Sequence, residues 1–380
     1  MKAFKTLLTL ALAITVSSCG NKNGNKYIVN GQIEGVENGS TIYIFDYAKI
    51  NTRNPQPIDS AVVNNGTFTF EDTLSNAIVA FVGDRRNGMA LILEPGKINV
   101  NVSDHVLSGT PMNDRLSAFY AETGLKSYEE ESSKIIELYY ASDNQEFKDS
   151  ISNRFDELYE IFVKKSNVAS EKMFMEFKDQ VLARYAISEL LESEPTVEQL
   201  VNCRDAEGSI VKDDKRLNAE IKRLIANEAT SEGKQYVDFE CINFKTKEIG
   251  KLSDVIGGKL AIVDFWASWC SPCKQEIKEN LIRIHEKYAG QGLVVVGVDV
   301  WDQIDKHAAM VDQLGIKYPQ VIDTANIASE IYGFNGIPEI MLVGEDGIII
   351  DRGIRGEEIE KAVINALNKS PQTKCVPKSL

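Results

Sequence analysis

Two of the six cysteines, Cys270 and Cys273, stand two residues apart in Leu260–Ile277, LAIVDFWASWCSPCKQEI. A pair at that spacing can close into a small disulfide ring and open again, so its chemistry is thiol–disulfide exchange. The flanks decide which sulfur attacks. Leu260–Phe265 is an apolar run suited to a buried strand, and the charged, helix-favouring segment begins at the cysteines. Cys270 therefore falls where the unpaired N–H groups of a helix start point, and their partial positive charge favours thiolate over thiol. Pro272 fits the first turn, where no N–H partner is needed. Cys273, one turn further in, is placed to resolve the mixed disulfide that Cys270 forms. A structural zinc site would need a second ligand pair at suitable spacing. The remaining cysteines are single, and His105, His285 and His307 are scattered along the chain. No metal site and no cofactor is expected.

The segment VDFWASWCSPCK, Val263–Lys274, resembles the active-site segment of thioredoxins. Over Lys234–Lys369 the pattern resembles the membrane-tethered periplasmic thioredoxins of the TlpA/ResA type. Cys273 and Pro338 stand 65 residues apart, a length that matches the insertion of that type. The resemblance implies a thioredoxin fold and a thiol–disulfide oxidoreductase, with Cys270 and Cys273 as the redox-active disulfide. It identifies Pro338, in Gly336-Ile337-Pro338, as the family's cis-proline. A cis bond would turn the chain so that Ile337 offers its N–H and C=O to an extended substrate peptide. The alternative is a trans proline opening a strand. Asp264 matches the buried acid of thioredoxins, whose raised pKa lets it exchange a proton with Cys273 near neutrality; the alternative is an exposed Asp at a sheet edge. Trp269 is expected to shield Cys270 and contact substrate, Trp266 to pack the core, and Lys274 to be a solvated first-turn cation. Glu339 stands where many relatives have a small polar residue, so an acid beside the site could raise a thiolate pKa or select basic substrates; the alternative is a Glu that simply faces solvent.

These residues need a scaffold, and the chain supplies more than one. Strands are expected at Leu260–Trp266, Leu293–Asp299, Gln320–Asp323, Glu339–Val343 and Ile348–Arg352, with helices after Cys270, Asp302, Asn326 and Gly356. Residues 235–369 thus read as an α/β thioredoxin fold. Residues 27–110 alternate in strand fashion, with Asn65-Gly66 as a hairpin signal, and read as an antiparallel β domain of seven or so strands. Their opening resembles the domain of unknown function often placed before thioredoxin domains in such lipoproteins. Residues 111–229 read as a helical region of four or five helices, and Thr230–Lys234 as the linker. The fold class is multidomain: N-terminal antiparallel β domain, central α-helical segment, C-terminal thioredoxin fold.

Lys2, Lys5 and the short apolar run Leu7–Val16 make residues 1–18 a signal peptide, too short to span a bilayer. Ser17-Ser18-Cys19-Gly20 resembles the lipobox of bacterial lipoproteins, with Cys19 as the lipidated residue and 19–26 as a tether; the alternative is an ordinary signal with an incidental cysteine. The expected location is the cell envelope, facing the periplasm from a lipid anchor, where disulfides persist. The expected partners are disulfide-bearing protein substrates and a membrane electron donor of the thiol-transport type. A net charge of −14 argues against nucleic acid. Cys203, Cys241 and Cys375 are left over: Cys241 reads as a core thiol, Cys375 as exposed in a 370–380 tail. Asp59-Ser60-Ala61, Asp72-Thr73-Leu74, Asp149-Ser150-Ile151 and Asp323-Thr324-Ala325 resemble the acceptor pattern of a bacterial O-glycosylation system. Two rival readings stand beside the oxidoreductase. One is a peptide- or glycan-binding lipoprotein with the thioredoxin part as accessory. The other is a peroxiredoxin-like peroxidase with antioxidant activity, although Ala267 occupies the position where that group carries Thr or Ser.

Overall fold

The computed structural model describes residues 25–84 and 88–369. The expected signal peptide, Cys19, nearly all of the tether, Cys375 and the tail lie outside the described residues. Among the described residues no helix is long and apolar enough to cross a membrane. The chain divides into two compact units: residues up to Pro195 with Asn202–Asp213, and Thr196–Val201 with residues from Asp214 onward.

The first unit opens with eight strands: β1 (Lys26–Gln32), β2 (Thr41–Asp46), β3 (Pro57–Val62), β4 (Thr67–Thr73), β5 (Ile78–Gly83), β6 (Gly88–Leu93), β7 (Gly96–Asn101) and β8 (Val106–Ser108). They form two four-stranded sheets, β4-β1-β7-β8 and β3-β2-β5-β6. Alternation drives the pattern: Tyr27, Val29, Phe68 and Phe70 turn inward while their neighbours face solvent. The pairing is antiparallel except for β1 with β7, which run parallel. Helices follow: α1 (Pro111–Thr123), α2 (Leu125–Ala141), α3 (Gln145–Glu176), α4 (Leu182–Leu191), α5 (Val197–Asp205) and α6 (Lys215–Ala229). Six helices thus occupy the segment where four or five were expected. Cys203 is buried there, and burial pushes its thiol pKa up to about 12.

α6 belongs with the second unit. Its Arg223 Nη1 donates to the Gly333 carbonyl at 2.9 Å, and Arg352 Nη1 donates to Thr230 Oγ1, just past its end, at 2.8 Å. The unit continues with β9 (Glu240–Asn243), β10 (Ile249–Lys251), α7 (Leu252–Ile256), β11 (Ala261–Trp266), α8 (Ser271–Glu276), α9 (Ile282–Tyr288), β12 (Val294–Asp299), α10 (Ile304–Leu314), β13 (Gln320–Ile322), α11 (Ala328–Tyr332), β14 (Glu339–Val343), β15 (Ile349–Arg352) and α12 (Glu357–Lys369). The seven-stranded sheet runs β10-β9-β13-β12-β11-β14-β15. β11 lies parallel to β12 and antiparallel to β14. Every residue of β11 is buried, as a strand covered on both faces requires. Ile262 and Trp266 pack one core layer, together with both cysteines; Ala261, Val263 and Phe265 pack the other. The π-helical turn Ile277–Leu281 separates α8 from α9 within what the sequence reads as one helix.

Candidate active site

The strand end and the helix start meet at Cys270. It is the N-cap of α8, in extended backbone, and its Sγ accepts from the Cys273 N–H at 3.1 Å. Cys270 and Cys273 are joined as a disulfide, with Cα atoms 5.3 Å apart. Cys270 is 3% exposed and Cys273 is fully buried. Ser271 and Pro272 are exposed beside them, and Trp269 is 58% exposed. Cys270 thus keeps a small accessible edge and Cys273 none.

The Ile337–Pro338 peptide is cis. The Ile337 carbonyl oxygen lies 3.6 Å from Cys270 Sγ, and Ile337 itself precedes the β14 ladder, which begins at Glu339. The loop is clamped from behind: the Arg355 guanidinium donates to the Pro338 carbonyl and, at 2.8 Å, to that of Ile354.

Asp264 is fully buried, on the face of β11 that also carries Ile262 and Trp266. Neither of its carboxylate oxygens has a hydrogen-bond partner. Burial pushes its pKa up to about 8; the Arg355 charge opposes the rise and Glu276 adds to it. At neutral pH this carboxyl holds a proton more often than not.

Trp266 is fully buried and donates its Nε1 to Gln320 Oε1 at 3.0 Å. Gly297 on β12 makes room for that bond, since a Cβ there would collide with the Gln320 amide. Trp269 donates its Nε1 to the Trp301 carbonyl at 3.0 Å. Ser268 is tied by both its N–H (2.5 Å) and its hydroxyl (3.0 Å) to the carboxylate of Asp302. Glu339 does not present a free acid to the site: its Oε1 accepts from Arg352 Nε at 2.7 Å, with both side chains largely buried. Lys274 is half-buried rather than solvated. Cys241 is a buried thiol whose pKa burial raises to about 11. Ser60, Thr73, Ser150 and Thr324 are all exposed.

The structure thus gathers Cys270, Cys273, Ile337 and Pro338 in one place, with Trp269 at the rim and Asp264 in the strand below. Sequence reasoning did not find Arg355, Asp302 or Arg352. Each acts across a long gap in the chain, and none carries a spacing signal.

Two family models match parts of the chain. The AhpC/TSA family matches residues 233–352, and a domain of unknown function (DUF4369) matches residues 27–116. The chain is similar to the thiol-disulfide oxidoreductase ResA of Bacillus thuringiensis (strain Al Hakam), 28% identical over 137 residues, covering 36% of this chain and 77% of that one. It is similar to the thiol:disulfide interchange protein DsbE of Allochromatium vinosum, 34% identical over 118 residues, covering 29% of this chain and 63% of that one. Among solved structures, the thioredoxin domain of a thiol-disulfide oxidoreductase from Bacteroides vulgatus aligns with a TM-score of 0.34 at 25% identity, covering 36% of this chain and 99% of that one.

Proposed function

We propose, from the premise that residues 233–352 are a thioredoxin-fold domain of the AhpC/TSA family, that this chain reduces protein disulfides in the cell envelope. The chain is a thioredoxin-like thiol–disulfide oxidoreductase, as its relatives are. Its reduction of protein disulfides is supported by the closed Cys270–Cys273 pair at the start of α8, facing the Ile337 carbonyl.

In the reduced protein the Cys270 thiolate attacks one sulfur of a substrate disulfide. A mixed disulfide forms and the first substrate thiolate leaves. Asp264, in its ionised fraction, takes the Cys273 proton, directly or through water. The Cys273 thiolate then attacks Cys270 Sγ, the second substrate thiolate leaves, and the protein disulfide closes. Two electrons pass to the substrate; one of its thiolates takes the Cys273 proton by way of Asp264, and the other takes from solvent the proton that Cys270 had lost there. Trp269 and the Ile337 backbone hold the substrate chain. The reducing direction is supported by Ser271-Pro272, which lacks the histidine that strong oxidants of this fold often carry between their cysteines. Re-reduction needs a dithiol donor, and the proposed source is a membrane protein of the thiol-transport type. Cys19, cut and lipidated, would anchor the chain facing the periplasm.

Insulin reduction tests the reading. The reduced protein should turn over the insulin interchain disulfides, and Cys270→Ser should abolish turnover. Absence of turnover, or turnover that survives Cys270→Ser, defeats it. Rapid consumption of the Cys270 thiol by peroxide would instead favour the peroxidase reading, against which the buried Ala267 stands.

A further inference from the structure

We propose that Asp299, Asp302 and His307 form a binding site for a divalent transition-metal ion of the Zn2+ class, directly behind the redox loop. Asp299 ends β12, Asp302 lies in the following loop, and His307 is in the first turns of α10. One ligand atom from each lies within 4.8 Å of the others, the one such group among the described residues. Imidazole nitrogen with two carboxylate oxygens is a ligand set suited to zinc and its neighbours rather than to calcium or magnesium.

A second observation points to a ligand. His307 is 0% exposed and Asp299 2% exposed, yet both ring nitrogens of His307 and Oδ1 of Asp299 lack a hydrogen-bond partner. His307 Nδ1 and Asp299 Oδ1 face each other at 3.3 Å as a buried pair, which leaves Nε2 on the far side of the ring without a partner. Buried polar atoms are costly when poorly paired, and here the contact is longer than a good hydrogen bond while the second ring nitrogen has none. Tetrahedral bonds of roughly 2.0–2.1 Å set two ligand atoms about 3.3 Å apart, which is the separation seen.

The third ligand is held ready. Asp302 Oδ2 accepts from the Ser268 N–H at 2.5 Å, and Oδ1 accepts from the Ser268 hydroxyl at 3.0 Å and the Gln303 N–H at 2.7 Å. Each carboxylate oxygen has two lone pairs, so capacity remains, and such outer contacts are what orient a metal ligand. The nearby Asp323 is already occupied, accepting from the N–H groups of Ile327 and Ala328. Its charge still favours a cation in the neighbourhood. The rings of Trp266 and Phe244, 4.7 and 5.4 Å from that of His307, form apolar walls. Three protein ligands leave a fourth position for water. Because Asp302 holds Ser268, two residues before Cys270, a bound ion would brace the redox loop from behind.

The test uses the full chain with its Cys270–Cys273 disulfide closed, any accessible thiol alkylated, the buried Cys203 and Cys241 left as they are, and metals removed by chelation. Titration with Co2+ should produce visible bands of cobalt in nitrogen and oxygen ligands, without a near-ultraviolet thiolate band, and Zn2+ should displace them. His307→Gln and Asp299→Asn should each abolish the bands, and Ser268→Ala should weaken binding by roughly 10-fold or more. The proposal is overturned if no cobalt spectrum develops at millimolar Co2+, or if the bands persist in folded His307→Gln and Asp299→Asn proteins. Should those variants fail to fold, X-ray absorption of the Zn2+-loaded wild-type chain decides. Imidazole in the first shell supports the site, and its absence overturns it.

Discussion

Among single residues, the two sulfurs differ by position more than by chemistry. One caps a helix and keeps a small accessible edge; the other is fully buried inside the first turn. That difference supports attack at Cys270 and resolution by Cys273. Asp264 adds a pH signature. Its folded pKa of about 8 lies above its ordinary 3.8, so the folded state binds the proton more tightly than the unfolded one. Stability therefore falls as pH rises through the window between those values, and the full loss is present above it. Asp264→Asn removes that loss at about 1.4 kcal/mol per pH unit. Urea unfolding should show little gain at pH 4 and a gain of a few kcal/mol at pH 8. An equal gain at both pH values would contradict the burial account. In the proposed reaction the same variant should slow disulfide closure by roughly 10²-fold or more.

Among elements, the sheet sets the site and loops finish it. β11 delivers Asp264 and the loop to Cys270, and β14 begins just after Pro338. The Arg352–Glu339 pair joins β15 to β14 across a nearly buried gap. Arg352 also donates to the carbonyls of Thr230 and Tyr332, tying the end of α6 and α11 to that edge. Arg352→Met should strand the Glu339 charge and those carbonyls, and cost about 3–5 kcal/mol in urea unfolding. Glu339→Gln, which keeps an acceptor, should cost less; equal costs would mean the charge plays no part.

What could be read in advance follows the same division. The apolar run Ala261–Phe265, the cysteine spacing and Gly336-Ile337-Pro338 are contiguous, so periodicity and local pattern reveal them. Glu339 reads from the sequence as an acid beside the site because its partner, Arg352, is 13 residues away on the next strand. β9, β10 and α7 are three to five residues each, too short for a period to emerge. Asp299, Asp302 and His307 straddle a strand end, a loop and a helix, so nothing in their spacing announces a group.

For the whole molecule, two units share the chain, and the family match at residues 233–352 falls within the second. α6 reads locally like the helices before it, and only tertiary contacts assign it to the thioredoxin unit. The proposed reduction of other proteins' disulfides is a property of the entire chain, and it turns on one covalent intermediate. Reduced Cys273→Ser protein mixed with insulin should accumulate a mixed disulfide at Cys270, visible as a thiol-sensitive adduct by mass spectrometry. The adduct should be absent when Cys270→Ser is added. No adduct, or one carried by another cysteine, would contradict the account.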